Sequence, residues 1–382
     1  MPAVDGTFDP RFRAVFDAFV ANFDRGEIGA ACAVVVDGRL VVDLWGGWRD
    51  ADRSGAWQAD TLVNAYSVGK PVVALSVLQL VASGDLRLDE PASKWWPELR
   101  VGQQGATVRD VLCHRAGVPA IRQPLSNEDL WNWDTMAAAV ADTEPWWPPG
   151  SRHGYHTNTY GFLVGELARR VTGQLPAEWL GSSVATPLEA DLAWALSPAQ
   201  EARCADVVWQ SNLELPKTWS APADLPDEEA MIVLAYVNPP GISSVGVVNT
   251  PSWRRAQVPS TNLHATARGI ARLYTALAAG GRIDGVVVCD SDVLAEAVKP
   301  QSEGWCPFLE RDATFGLGFQ PTRLDRPFGP NAGSFGHFGT GGALGFADPA
   351  AGVAFGYVMN AVKPRWQNER NRALLDALYS CL

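Results

Sequence analysis

Apolar side chains recur at helical spacing over residues 8–23, where Phe8, Phe12, Val15, Phe16, Phe19, Val20 and Phe23 share one face of a predicted amphipathic helix. The period then changes. Residues 30–47, "AACAVVVDGRLVVDLWGG", hold two β-branched runs around Asp37-Gly38, a dipeptide suited to a two-residue hairpin turn. Residues 63–86, "VNAYSVGKPVVALSVLQLVASGDL", are apolar over more than two helical turns and stop at Ser83-Gly84. Pro71 fits only a first turn, so Ser67 belongs at or beside the start of that helix.

Between residues 71 and 300 the pattern is helix and long loop. The clearest helices are in "ATVRDVLCHRAG" (106–117), "NTYGFLVGELARRVTG" (158–173), "TARGIARLYTALAAGG" (266–281) and "DVLAEAVKP" (292–300). Proline-rich "LPKTWSAPADLPDEEA" (215–230) and "YVNPPGISS" (236–244) read as surface excursions. Strands return in "GALGFADPAAGVAFGYVMN" (342–360), a hairpin turning at "DPAAG", and a terminal helix follows in "QNERNRALLDALYSCL" (367–382). Strands at both ends with helices between them imply an α/β chain of the α+β type, with a central antiparallel sheet flanked by helices. The expected division is a sheet domain from 1–70 and 301–382, a mostly helical insertion over 71–300, and an active site in the cleft between. No internal repeat is present.

With 382 residues, 47% hydrophobic and 19% charged, the chain can bury a large core. No apolar run is long enough for a membrane span, and the start "MPAVDGTFDPRFRAVFDAFV" does not resemble a secretory signal, so a soluble cytoplasmic enzyme is expected. A net charge of -11 speaks against a nucleic-acid partner. Six cysteines are scattered singly, without metal-ligand spacing, so neither disulfides, a metal nor a cofactor is expected. The sixteen tryptophans stand out. Those in "LWNWD" and "EPWWPPG", namely Trp131, Trp133, Trp146 and Trp147, are candidate walls of an aromatic cleft.

Only five lysines accompany twenty-six arginines, and only Lys70 has a serine three residues before it. On a helix, Ser67 and Lys70 share a face. A serine hydroxyl is a poor nucleophile at neutral pH, and a lysine can take its proton only where burial or neighbouring charge lowers the amine's pKa. The helix N-terminus adds free N–H groups that can stabilise an oxyanion. The plainer alternative is that Ser67 caps the helix and Lys70 is a solvated charge. Competing motifs are absent: there is no G-x-S-x-G, no H-E-x-x-H and no Walker loop, and "GTGGALG" (339–345) lacks dinucleotide-binding spacing.

Five segments together resemble the serine β-lactamase and penicillin-recognising superfamily, most closely the class C β-lactamase-like family VIII carboxylesterases. They are "YSVGK" (66–70), "VRDVLCHRAGVPA" (108–120), "PPGSRHGYHTNTYGFLVGEL" (148–167), "WRRAQVPSTNLHATARGIARLYTALAAGG" (253–281) and "FGHFGTGGALGFADPAAGVAFGYVMN" (335–360). The resemblance implies the β-lactamase/transpeptidase-like fold, with Ser67 acylated, Lys70 its base or proton relay, and Tyr155 the second proton-transfer group. A phenol near a lysine ammonium can have its pKa lowered, which suits that role. The implied oxyanion hole joins the N–H groups of Ser67 and Thr340. Two departures stand out. The family's Y-x-N would place asparagine at 157, but Thr157 is there and Asn158 follows; the lactamase K-T-G is here His337-Phe338-Gly339. A permanent cation for a β-lactam carboxylate is thus replaced by a group largely neutral at pH 7. His337, Gly339, Asn158 and His156 remain candidate substrate contacts, whereas His114 and His153 read as structural.

The expected function is a serine hydrolase acting on small or medium acyl esters through an acyl-enzyme. A transacylase passing the acyl group to an amine or alcohol is the nearest alternative, followed by a β-lactamase or D-aminopeptidase-like amidohydrolase. A non-catalytic binding protein would not need Ser67, Lys70 and Tyr155 together. The natural acyl donor and the oligomeric state are not legible in the chain.

Overall fold

The computed structural model describes residues 3–209 and 225–382. Seven strands form one sheet, in the order Val4–Phe8, Arg39–Gly47, Gly29–Val36, Val353–Met359, Leu344–Asp348, Phe335–Phe338 and Gln320–Pro321. Every neighbouring pair is antiparallel. Both terminal parts of the chain therefore build one sheet, as the pattern of strands implied.

Local chemistry explains the hairpins. Asp37 and Gly38 take φ of 48° and 76°, the left-handed pair that a tight turn between twisted strands requires. The second hairpin closes through Asp348, whose side chain accepts from the Ala351 N–H, and through Gly352 at φ 62°. Gly29–Val36 and Val353–Met359 lie mid-sheet with both faces covered, hence their continuous apolar runs.

Neighbouring residues on a strand face opposite ways. Gly345 and Gly356 are cross-strand partners beneath the helix Ala267–Ala278; a β-carbon on Gly345 would lie 2.5 Å from Tyr274, and one on Gly356 would lie 2.2 Å from the Ala267 carbonyl. The next residue, Tyr357, points the other way and gives its hydroxyl to Glu27, which also pairs with Arg370 of the terminal helix Glu369–Ser380. Helices thus cover both faces of the sheet. A smaller sheet of Val63–Tyr66, Leu263–Ala265 and Leu192–Ala193 links the sequence-distant segments beside Ser67.

Several expectations are corrected. The first helix covers only Arg13–Ala21, because Asp9 and Pro10 interrupt the run. Phe8 lies in an edge strand opposite Val42, although its ring still stacks on Phe16 at 4.8 Å, which is why the apolar spacing looked continuous. Within "ATVRDVLCHRAG" only Val108–Leu112 is helical. "YVNPPGISS" is no surface excursion: Asn238, Ile242 and Ser244 are buried, and Asn238 bonds to Ile121, Gln123 and Leu125. Most of "LPKTWSAPADLPDEEA" lies outside the described residues. Among those described, no helix is long and apolar enough to cross a membrane.

Candidate active site

Ser67 stands where a strand turns directly into a helix. Val63–Tyr66 pairs with Leu263–Ala265 through a bulge at Ala65, and Tyr66 takes φ 53°, a left-handed conformation costly for a bulky residue. The helix Gly69–Ser83 begins at once, with Val68 as N-cap and no side-chain capping bond. Gly69 is demanded by packing, since a β-carbon there would lie 2.5 Å from the Pro259 carbonyl. The hydroxyl of Ser67 is therefore not a cap.

Lys70 is not a solvated charge either. It is fully buried, and its Nζ donates to the carbonyls of Thr157 at 2.6 Å and Ser260 at 3.1 Å while lying 3.3 Å from Ser67 Oγ. Burial pushes its pKa well below the ordinary lysine value, with no anion to oppose the shift. A neutral amine carries two hydrogens and one lone pair. The two carbonyls take the hydrogens, which leaves the lone pair for the Ser67 hydroxyl.

Tyr155 is also fully buried, and Lys70 Nζ lies 4.6 Å from the centroid of its ring. Burial raises the phenol's pKa well above its ordinary value, opposed in part by the Ser67 hydroxyl. The expected lowering by a neighbouring ammonium does not occur, because the amine sits over the ring and itself favours the neutral form. Among the described residues the Tyr155 hydroxyl has no hydrogen-bond partner of good geometry, so its proton is uncommitted.

Thr340 is brought beside Ser67 by close approach. A β-carbon on Gly339 would lie 2.4 Å from the Ala65 carbonyl, so only glycine lets the two segments meet there. The loop after it is clamped by the start of the terminal helix: Asn368 Nδ2 donates to the Gly341 carbonyl at 3.0 Å, Arg370 Nη2 to the same oxygen at 3.2 Å, and Asn371 Nδ2 to the Gly342 carbonyl at 3.0 Å. Among the described residues, no acceptor takes the N–H of Ser67 or of Thr340. Both residues line one pocket of about 390 Å³.

Other candidates are placed elsewhere. His337 is 1% exposed, its ring stacked on Tyr155 and tilted against Trp366 rather than set in the pocket wall. Its Nδ1–H donates to the Phe338 carbonyl, Nε2 has no partner among the described residues, and burial holds its pKa at about 3. His156 commits both nitrogens to backbone groups of Gly154 and Val118. Asn158 is buried, donating to Ala235 O and Ser243 Oγ and accepting from Thr261 Oγ1; it is Thr157 that lines the pocket. Gly339 serves spacing. Trp131 packs on Trp253, and Trp133 on Phe162 with its N–H given to Glu166, both away from the pocket. Trp146 and Trp147 join the apolar cluster that holds Tyr155 and Phe308.

The pocket's aromatic walls come instead from Trp209, Tyr236, Phe308 and Trp366. No sequence spacing marked these four, since they lie on separate segments that meet only in the fold. The site thus combines a nucleophile-sized hydroxyl, a neutral-leaning amine, an uncommitted phenol and two free N–H groups around one aromatic pocket.

This is the constellation of a serine acyl-transfer enzyme on a β-lactamase-like scaffold. Residues 12–379 match the Beta-lactamase family, and the chain belongs to it. Among curated relatives it is 32% identical over 370 residues to "Esterase/beta-lactamase LipL" of Mycobacterium tuberculosis (strain ATCC 25618 / H37Rv), covering 94% of this chain and 83% of that protein. Among solved structures, a family VIII carboxylesterase is 33% identical with a TM-score of 0.90, covering 100% of both chains. A penicillin-binding protein homologue from Caulobacter crescentus is 34% identical with a TM-score of 0.89, again over 100% of both.

Proposed function

We propose that this protein is a serine esterase, acting on small or medium acyl esters through an acyl-enzyme on Ser67. The observation that carries this reading is the wholly buried Lys70, whose hydrogens go to Thr157 O and Ser260 O and whose remaining hydrogen-bond partner is Ser67 Oγ. In acylation, Ser67 Oγ bonds to the ester carbonyl carbon as its proton passes to Lys70. The N–H groups of Ser67 and Thr340 hold the oxyanion. The ester C–O bond then breaks, the leaving oxygen takes the Tyr155 proton, and the phenolate regains one from the Lys70 ammonium. Water repeats the sequence on the acyl-enzyme.

Likeness to proteins named as esterases supports the substrate class, and a pocket of about 390 Å³ suits modest acyl chains. Intact mass spectrometry during turnover of a short-chain aryl ester should reveal an acyl adduct that maps to Ser67. If Ser67→Ala hydrolyses that ester as well as the parent enzyme, the reading is wrong.

A second reading is transacylation, favoured by the four aromatic side chains that wall the pocket and limit water at the acyl-enzyme. Adding alcohols or amines and measuring transfer product against free acid separates the two outcomes.

A further inference from the structure

The pocket at Ser67 has a charge pattern that simple ester hydrolysis does not require. The chain's net charge is -11, yet Arg311, Lys363 and Arg365 line this pocket and, among the described residues, no aspartate or glutamate does. Lys363 is paired with Glu369, and Arg365 is exposed at the rim. Arg311 differs from both.

Arg311 begins the strand Arg311–Phe315, directly opposite Cys306, and is half-buried. Its guanidinium lies 5.1 Å from the centroid of the Trp366 ring, which orients it beside the pocket. Among the described residues it has no hydrogen bond and no ion pair. The nearby carboxylate of Asp325 is already taken by Arg323 at 2.8 Å and by Arg326 at 3.9 Å. The other groups acting on Arg311 are Arg326, Cys306 and Tyr155, and its pKa of about 10 leaves it protonated at neutral pH. A partly desolvated guanidinium with five N–H donors and no anion is costly to hold, and the missing partner is the natural candidate for a substrate group.

Resting on the serine-esterase reading, we infer that the preferred ester carries a carboxylate and that Arg311 binds it while the ester carbonyl lies at Ser67. The hairpin containing Arg311 thus supplies the cation that position 337 lacks. A planar guanidinium can grip a carboxylate through two parallel N–H bonds. A positive pocket in an acidic chain also draws anions toward itself. The carboxylate could sit on the acyl chain or on the leaving group, and both present the same chemistry to Arg311.

Two pairs of esters test this with the full chain. Mono-para-nitrophenyl glutarate against para-nitrophenyl pentanoate places the charge in the acyl part; meta-carboxyphenyl butyrate against phenyl butyrate places it in the leaving group. In one pair the anionic ester should exceed its neutral twin in kcat/KM by roughly 10- to 100-fold. That advantage should shrink as salt is added, and Arg311→Gln should remove it, while Arg311→Lys should retain part. The pair that responds identifies the side of the ester that carries the charge. Ratios near one in both pairs, or a ratio unchanged in Arg311→Gln, would overturn the inference. In that case hydrolysis of the neutral esters, with Ser67 acylated, would leave the esterase reading standing; no turnover and no adduct from any of the four would sink the esterase reading itself.

Discussion

Gly339 passes so close to Ala65 that a β-carbon on the glycine would lie 2.4 Å from the alanine's carbonyl oxygen. This contact sets the Thr340 N–H beside Ser67, two residues beyond Ala65. Gly339→Ala should push the loop away and cost one oxyanion donor, lowering kcat by about 10²–10³-fold with KM little changed. Steady-state kinetics on a neutral aryl ester decide it; an unchanged kcat would show that Thr340 is not part of the oxyanion hole.

Lys70 should act as a base because burial depresses its pKa. Its activity dependence follows: kcat/KM should rise with pH through that lowered value and then level. Stability moves the same way. Between the folded and unfolded pKa values the unfolded chain binds the extra proton, so unfolding becomes harder as pH rises toward about 10.4. Lys70→Arg puts a permanent cation there that cannot accept the Ser67 proton, so it should lose about 10²–10⁴ in rate and abolish the pH-dependent rise. Retention of either by the arginine variant would remove Lys70 from the role of base.

The buried pair of Glu27 and Arg370, 2.8 Å apart and both fully enclosed, connects the terminal helix to the loop of Thr340, because Arg370 also holds the Gly341 carbonyl. Burial raises the Glu27 pKa to about 7 despite Arg370, so above that pH Glu27→Gln would leave the guanidinium without its anion, costing about 3–5 kcal/mol in denaturant unfolding. Adding Arg370→Met should restore much of that stability, yet kcat should stay low with one loop clamp gone. If the double variant regains full kcat, the clamp has no part in catalysis.

His337 packs against Tyr155 and Trp366 at 1% exposure. His337→Lys should therefore bury a second amine beside Lys70, with a stability loss of about 3–5 kcal/mol rather than a gain in carboxylate affinity. Thermal unfolding together with binding of a carboxylate-bearing β-lactam checks this. A stable lysine variant with improved affinity would return position 337 to the pocket wall.

The parts of the protein that were legible in the chain are those decided by near neighbours. Asp37-Gly38 announces its hairpin because two positive φ values are a demand on two adjacent residues. Ser67 and Lys70 meet because three residues separate them across the turn that opens the helix, where the Lys70 N–H bonds the Ser67 carbonyl, and Pro71 marks the first helical turn. The first helix is shorter than its apolar spacing implies for the complementary reason: Phe8 keeps that spacing and even touches Phe16, but Asp9 and Pro10 end the strand and begin a new element.

What no local pattern contains is which distant groups complete the chemistry. Lys70 is made a neutral-leaning amine by burial and by carbonyls from Thr157 and Ser260, 87 and 190 residues away. Asn158, one place from the family position, turns to Ala235, Ser243 and Thr261, and Thr157 faces the pocket instead. The prominent tryptophan pairs drew attention to Trp131 and Trp133, while Trp209 and Trp366 form the wall and Arg311 brings the cation. Residue identity and short-range spacing single out Ser67 and Lys70 as the proposed nucleophile and its neighbour. Desolvation, pKa and pocket shape depend on what the rest of the chain packs around them, so only the assembled fold settles those.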